Sequence, residues 1–203
     1  MQAKANRRRT RPTLTEQARR AQIIAAAIET IAELGYVHAS FAQIAKRAGL
    51  SSTGLISYHF ASKKELDWAV VKEIYDRLTQ HMNKAIAGIT NPHAALIAYI
   101  EGLIGFMKIE PFALRAMIGI VMHGGVDYDA ASEREALSPI SAILRWGQAE
   151  GIFRDFDIQV MATTMQRSLD GIPLAQSTNP NLDLDTYARE LVELFTLATQ
   201  KRD

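Results

Sequence analysis

Between Ser51 and Lys64 the chain gathers short polar and cationic side chains: Ser51, Ser52, Thr53, Ser57, Tyr58, His59, Lys63 and Lys64, with Gly54 among them. Serine and threonine hydroxyls bond bases or phosphates, and a glycine lets the backbone itself come near a ligand. Catalytic arrangements are not evident. The five histidines, His38, His59, His81, His93 and His123, show no paired metal spacing such as i, i+4 on one helix. No phosphate loop, nucleophile elbow or Gly-x-Gly-x-x-Gly is present. Asp127 and Asp129 after Gly124-Gly125 could bind a cation, but an ordinary polar loop is the better reading of them. Cysteine is absent, which removes disulfides, thiolate metal sites and cysteine nucleophiles. These residues imply a binding protein rather than an enzyme, with no cofactor and no metal.

Charge points to the partner. Residues 1–60 hold nine basic residues (Lys4, Arg7, Arg8, Arg9, Arg11, Arg19, Arg20, Lys46, Arg47) against Glu16, Glu29 and Glu33. That leaves 14 of the 23 basic and 19 of the 22 acidic residues for the rest of the chain. A basic N-terminal third and an acidic remainder direct one end at a polyanion and keep the other off it. Residues 1–14 read as a basic flexible tail, whose Arg8 and Arg9 either enter a minor groove or remain disordered. The N-terminus lacks the apolar core of a signal peptide, and no stretch approaches the ~20 apolar residues of a membrane span. A cytoplasmic protein with no membrane contact is expected, nucleoid-associated if the polyanion is DNA.

The positioning elements are helical throughout. Apolar residues at Ile23, Ile24, Ala27, Ile28, Ile31 and Leu34 form one stripe, closed by Gly35. Thr13 with Glu16, Ser40 with Gln43, and Ser62 with Glu65 have the form of capping boxes. Helices follow at about 16–34, 40–48, 52–60, 62–82, 93–108, 111–123, 133–150, 157–177 and 184–200. The first three are too short to bury a core singly and must pack as a trihelical unit over 15–62. The fold class is therefore all-α, an N-terminal three-helix helix-turn-helix domain followed by a helical bundle over 63–203.

Within 40–60 the parts of a helix-turn-helix fall in order. Ala45 and Ala48 are small where helices cross, Gly49 makes the turn, and Leu55, Ile56 and Phe60 form an apolar inner face. Ser52, Thr53, Gly54, Ser57, Tyr58 and His59 take the outer face. Phe60 is read as core; Tyr58 stands open between core and groove, and His59 between groove edge and packing.

Taken together, Ile44-Ala45, Ala48-Gly49, Gly54, Tyr58-His59-Phe60 and Ser62-Lys63, after a helix ending at Gly35, resemble the DNA-binding domain of the TetR family of bacterial transcriptional regulators. The likeness covers about 20–70, and the run Thr53-Gly-Leu-Ile-Ser57 is similar to the BetI branch of that family. It implies that Ser40 and Lys63 touch phosphates and that Ser52, Thr53, Gly54, Ser57, Tyr58 and His59 lie in or beside the major groove. The pattern departs at Ser51-Ser52, one residue longer than usual, which leaves the groove-facing register open by one position, and at Ser57, where an aromatic is common.

Beyond residue 75 the likeness rests on architecture and on Trp146-Gly-Gln-Ala-Glu-Gly151 and Leu169-Asp-Gly171. It implies a homodimer through the last two helices, about 157–177 and 184–200. Val160, Met161, Thr164, Met165, Leu169, Leu191, Leu194, Phe195 and Ala198 supply apolar stripes there, equally readable as internal core. A dimer suits double-stranded DNA with a near-palindromic operator, read as two half-sites about 34–36 Å apart. A small-molecule effector, unidentified, would sit among Trp68, Tyr75, Phe106, Met107, Met117, Met122, His123, Trp146, Met161 and Met165, oriented by Arg115, His123, Glu101 and Gln166. Met and aromatic residues at helical spacing are also ordinary core. The expected function is a sequence-specific repressor released from its operator by that ligand, with the 62–82 helix as the link.

Overall fold

Helix starts are marked by oxygen-bearing side chains, because the first N–H groups of a helix have no partner within it. In the computed structural model, which describes residues 13–201, Thr13 caps α1 (Leu14–Leu34) with a complete capping box: Glu16 N–H donates to Thr13 Oγ1 at 3.2 Å, and Thr13 N–H donates to Glu16 Oε2 at 2.7 Å. Ser40 caps α2 (Phe41–Arg47), Ser62 caps α4 (Lys63–Ile86), and Asn91 caps α5 (Pro92–Ile109) with proline at its first position. Glu65 leaves its own cap open and accepts instead from Ala61 N–H at 2.8 Å. Asp129, Asp157 and Asp183 cap α7 (Ala130–Ala149), α8 (Ile158–Asp170) and α10 (Leu184–Thr199). Between these lie a 3-10 turn (Tyr36–His38), α3 (Gly54–His59), α6 (Ala113–Met122) and α9 (Ile172–Thr178). The all-α class holds: among the described residues the β-type pairing is a single bridge, Phe153 to Gln200. No helix there is long and apolar enough to cross a membrane.

Three bounds depart from the expected ones. The segment 157–177 is two helices, α8 and α9, because Pro173 at the second position of α9 has no N–H for the Leu169 carbonyl. α7 begins at Ala130, where Asp129 accepts from Ala131 and Ser132 N–H. α4 runs on to Ile86, past the expected Met82.

One apolar core runs through the chain from Ile23 to Phe195. α1 packs on α2 and α3 through its own stripe, and on α4 and α6 as well. α5 lies at the centre of the C-terminal part, against α4, α7, α8 and α10, with Leu96, Ile100 and Ile104 fully buried. Gly102 permits the close α4–α5 contact, since a Cβ there would stand 3.1 Å from Ala85 Cβ and 3.2 Å from Met82 Sδ. His81 on α4 bonds the Gly102 carbonyl at 3.0 Å.

Candidate nucleic-acid interface

The turn between α2 and α3 is built from backbone bonds that only a left-handed residue permits. Gly49 has φ +63°, its N–H donates to Lys46 O, and Leu50 N–H donates to Ala45 O at 2.9 Å, a Schellman closure. Ser51 and Ser52 follow as exposed loop residues, and Thr53 precedes the first helical residue, Gly54. Both serines therefore belong to the turn, and the helical register runs over 54–59.

α3 has six residues and turns its sides in opposite directions. Ile56 and Phe60 are fully buried. Ser51, Ser52, Thr53, Gly54, Ser57 and Tyr58 are exposed together, and His59 is half-buried. Tyr58, open in the sequence between core and groove, is 72% exposed and meets the His59 ring edge-on at 5.0 Å. Leu55 corrects the sequence reading: it was expected inside with Ile56 and Phe60 but is 36% exposed. Its position is about 100° around the helix from Ile56, on the flank of the outer face. Leu50 takes part in the packing instead. Beside Gly54 a Cβ would meet only Ser52 Oγ, at 3.4 Å, so the outer face is sterically open there.

Several cations of the basic third are engaged within the protein. Arg47 pairs with Glu29, at 3.1 Å, and with Glu33. Arg20 donates to the His59 carbonyl, lies 4.1 Å over the Phe60 ring and stands 3.6 Å from Glu65. Gln22 Nε2 donates to the Ala48 carbonyl at 2.7 Å. Lys63, expected at a phosphate, holds its ammonium 2.6 Å from Oδ1 of the fully buried Asp67 and 4.2 Å over the Tyr36 ring. Tyr36 donates to Asp67 Oδ2 at 2.7 Å, and partial burial, followed by that carboxylate, pushes its phenol up to about 12. Lys64 pairs at the surface with Asp127. The side chain of Lys46, by contrast, is exposed, and its ammonium makes no ion pair among the described residues. Ser40 spends its hydroxyl as the α2 cap but is exposed beside it. Arg8 and Arg9 lie outside the described residues.

Tyr36 also stacks on His123, with ring centroids 5.7 Å apart, and a Cβ on Gly125 would lie 2.7 Å from its hydroxyl. The α6–α7 connection is thus seated against the start of α4. Asp67, Tyr36 and Gly125 carried no signal in the sequence, since their roles arise from contacts far apart along the chain.

The ten sequence candidates for a ligand pocket divide between the core and the surface. Phe106, Met107 and Met165 are buried core, while Met117, Trp146 and Met161 are half-buried. Trp68 and Tyr75 lie at the exposed edge of α4, and Met122 and His123 at the exposed end of α6. Open cavities of about 760 and 440 Å³ lie instead on the outer side of α8, the smaller one shared with α10, and Met161 alone of the ten lines either. Gln166 accepts from the buried Tyr99 hydroxyl at 2.9 Å and donates to Asp170 at 2.8 Å. Among the described residues no group of three His, Asp or Glu is placed to hold a metal.

Comparison with known proteins places this geometry. The family model described as "Bacterial regulatory proteins, tetR family" matches residues 23–67. The chain is 34% identical over 106 residues to the HTH-type transcriptional regulator BetI of Cronobacter sakazakii, covering 49% of this chain and 50% of that one. It is 39% identical over 83 residues to the HTH-type transcriptional regulator HbdR of Aromatoleum sp., covering 41% and 35%. The alignments thus span about half the length of the BetI relatives, or less for HbdR. A transcriptional regulator from Saccharomonospora viridis, solved in complex with choline, superimposes with TM-score 0.78 at 20% identity over 92% of this chain and all of that one. The ketosteroid transcriptional regulator KstR2 of Mycobacterium tuberculosis gives 0.74 at 17% identity over 91% and 96%. The helix-turn-helix match and the shared all-helical fold agree, and residues 23–67 are a DNA-binding segment of the kind found in the tetR family of bacterial regulatory proteins.

Proposed function

We propose that this chain is a sequence-specific DNA-binding transcriptional regulator, a repressor released from a near-palindromic operator by a small-molecule effector. The observation that carries this is the face of α3: Ser51, Ser52, Thr53, Gly54, Ser57 and Tyr58 are exposed together, opposite the buried Ile56 and Phe60. A helix anchored from behind and polar in front is what major-groove reading needs. Ser40 supplies a phosphate contact, and residues 15–62 form the reading domain on a body of 63–203. The protein works in the cytoplasm, with no catalytic role.

The second copy docks on α8 and α10. Their stripes divide into two rows: Met165, Leu169 and Phe195 fill the chain's own core, while Val160, Leu194 and Leu197 are more than half exposed. The groove of about 440 Å³ lined by Val160, Met161, Thr164, Leu194 and Ala198 lies along that outer row. Continuous apolar surface of this kind favours burial against an identical face about a two-fold axis. The effector belongs to the body, and the choline held by the Saccharomonospora viridis relative makes small organic cations the first ligands to screen. An effector acts by preferring the head spacing that does not fit the operator.

Titration against the sequence protected in the protein's own upstream region and against a random duplex, over a range of salt, tests the function. A regulator shows a steep salt slope and a preference of about 10³-fold or more for the protected sequence. Equal affinity for both duplexes would reject sequence-specific regulation, and no binding even at low salt would reject DNA as the partner.

A further inference from the structure

We propose that Arg20, seconded by Gln22, is a positioning residue that sets the angle at which the recognition helix is presented, and that it is not a phosphate-binding cation. This assignment rests on the DNA-binding function proposed above.

The last carbonyls of a helix have no partner within it and point along its axis. In α2 and α3 these carbonyls are met from α1. Gln22 Nε2 donates to the carbonyl of Ala48, the C-cap of α2, at 2.7 Å. Arg20 Nη1 donates to the carbonyl of His59, the last residue of α3. The same guanidinium lies over the Phe60 ring at 4.1 Å and 3.6 Å from Glu65 Oε1, at the start of α4. One side chain of α1 therefore fastens the end of α3, the ring that follows it and the helix that leaves it. A planar guanidinium can stack and donate through its fork at once, whereas an ammonium serves as a point donor.

α3 needs such fastening. Six residues make less than two turns, too few to hold a direction by their own hydrogen bonds. Thr53 offers α3 no side-chain cap at its start, unlike Thr13, Ser40 and Ser62 at theirs. With the N-terminal end uncapped, orientation depends on Ile56 and Phe60 behind and on the Arg20 bond at the far end. The charge of Arg20 is meanwhile offset by Glu65, and its side chain is one-third exposed, so it is poorly placed to attract a phosphate.

The two roles predict different DNA behaviour. A phosphate contact is indifferent to sequence, so its loss weakens all duplexes alike and lowers the salt slope by about 0.9. Loss of a positioning contact misaims Thr53, Ser57 and Tyr58 together and lowers affinity only where bases are read. The test uses the full-length chain, the duplex it enriches from a random pool, and a scrambled duplex of equal length. Arg20→Lys keeps the charge and removes the fork; Arg20→Ala removes both. Both variants are expected to lose about 10-fold or more on the enriched duplex, to stay within about 2-fold on the scrambled one, and to keep the salt slope. Arg20→Lys equal to the unaltered chain, or equal losses on both duplexes with a reduced slope, overturns the proposal. Should Arg20→Ala fail to fold by circular dichroism, Arg20→Lys decides alone. An unaltered chain that enriches no sequence removes the DNA-reading function and this proposal with it; one that enriches a sequence which Arg20→Lys reads equally well removes this proposal only.

Discussion

Asp67 is a carboxylate with no exposed surface, and both its oxygens are occupied, one by Lys63 and one by Tyr36. Removing one partner of a buried polar group costs about 1–3 kcal/mol, because the remaining group is left desolvated. Lys63→Ala is therefore expected to lower unfolding free energy by about that amount in urea titration, before any DNA is added. Unchanged stability would return Lys63 to the phosphate role its family position implies. Tyr99 makes a second residue-level case. Burial first, then the charges of Asp170 and Tyr75, hold its phenol far above the ordinary 10.0. The folded state keeps that proton where the unfolded chain releases it, so the stabilisation is complete below about pH 10 and is lost as pH rises further. The fall in denaturation midpoint between pH 8 and 11 should be smaller in Tyr99→Phe than in the unaltered chain. An equal fall would mean that this phenol contributes nothing to alkaline unfolding.

At the scale of elements, capping and glycine signals were legible because they act within four residues. Thr13, Ser40 and Ser62 start helices where the sequence places them, and Gly35 and Gly49 close them with positive φ. The break at Pro173 was legible in principle, since a proline without an N–H interrupts any helical stripe it sits in. Gly147 was not legible in this way. It lies inside α7 with no turn to explain it, yet a Cβ there would fall 2.0 Å from the Phe153 ring. Phe153 is nearly fully buried, bridges to Gln200, and is followed by Arg154 N–H donating to Thr199 O at 2.9 Å. The glycine thus lets the turn after α7 fold back on the end of α10. Gly147→Ala should cost about 1–3 kcal/mol or more by overpacking, read as a lowered Tm. A Tm at or above that of the unaltered chain would show that the Phe153 ring moves aside freely.

For the whole molecule the proposed dimer surface is the outer row of α8 and α10. Leu194 and Leu197 are 55% and 62% exposed in the single chain, and under the proposed dimer a carboxylate there would be buried unpaired against the second copy. Leu194→Asp with Leu197→Asp is expected to give a folded monomer in analytical ultracentrifugation. Its operator affinity should fall by about 10²-fold or more while low-salt binding to random DNA persists, because specificity comes from two coupled half-sites. A double variant that remains a dimer would move the interface elsewhere. A monomer with full operator affinity would instead end the two-half-site account.

What the sequence by itself determined was the all-helical class, most helix starts and stops, the turn at Gly49 and the polar outer face of α3. All of these follow from hydrogen bonds and periodicities spanning a few residues, so neighbouring letters suffice to write them. Tertiary structure decided which apolar residues face inward and which charges are spent. Leu55 came out and Leu50 went in, Met165 was separated from Val160 on one helix, Arg20 and Arg47 were drawn onto partners 14 to 45 positions away, and Lys63 was drawn over the ring of Tyr36 as well as onto the nearby Asp67. Composition counts a charge, whereas only packing brings it beside the carbonyl or carboxylate that engages it, and that placement depends on contacts between segments distant in the chain.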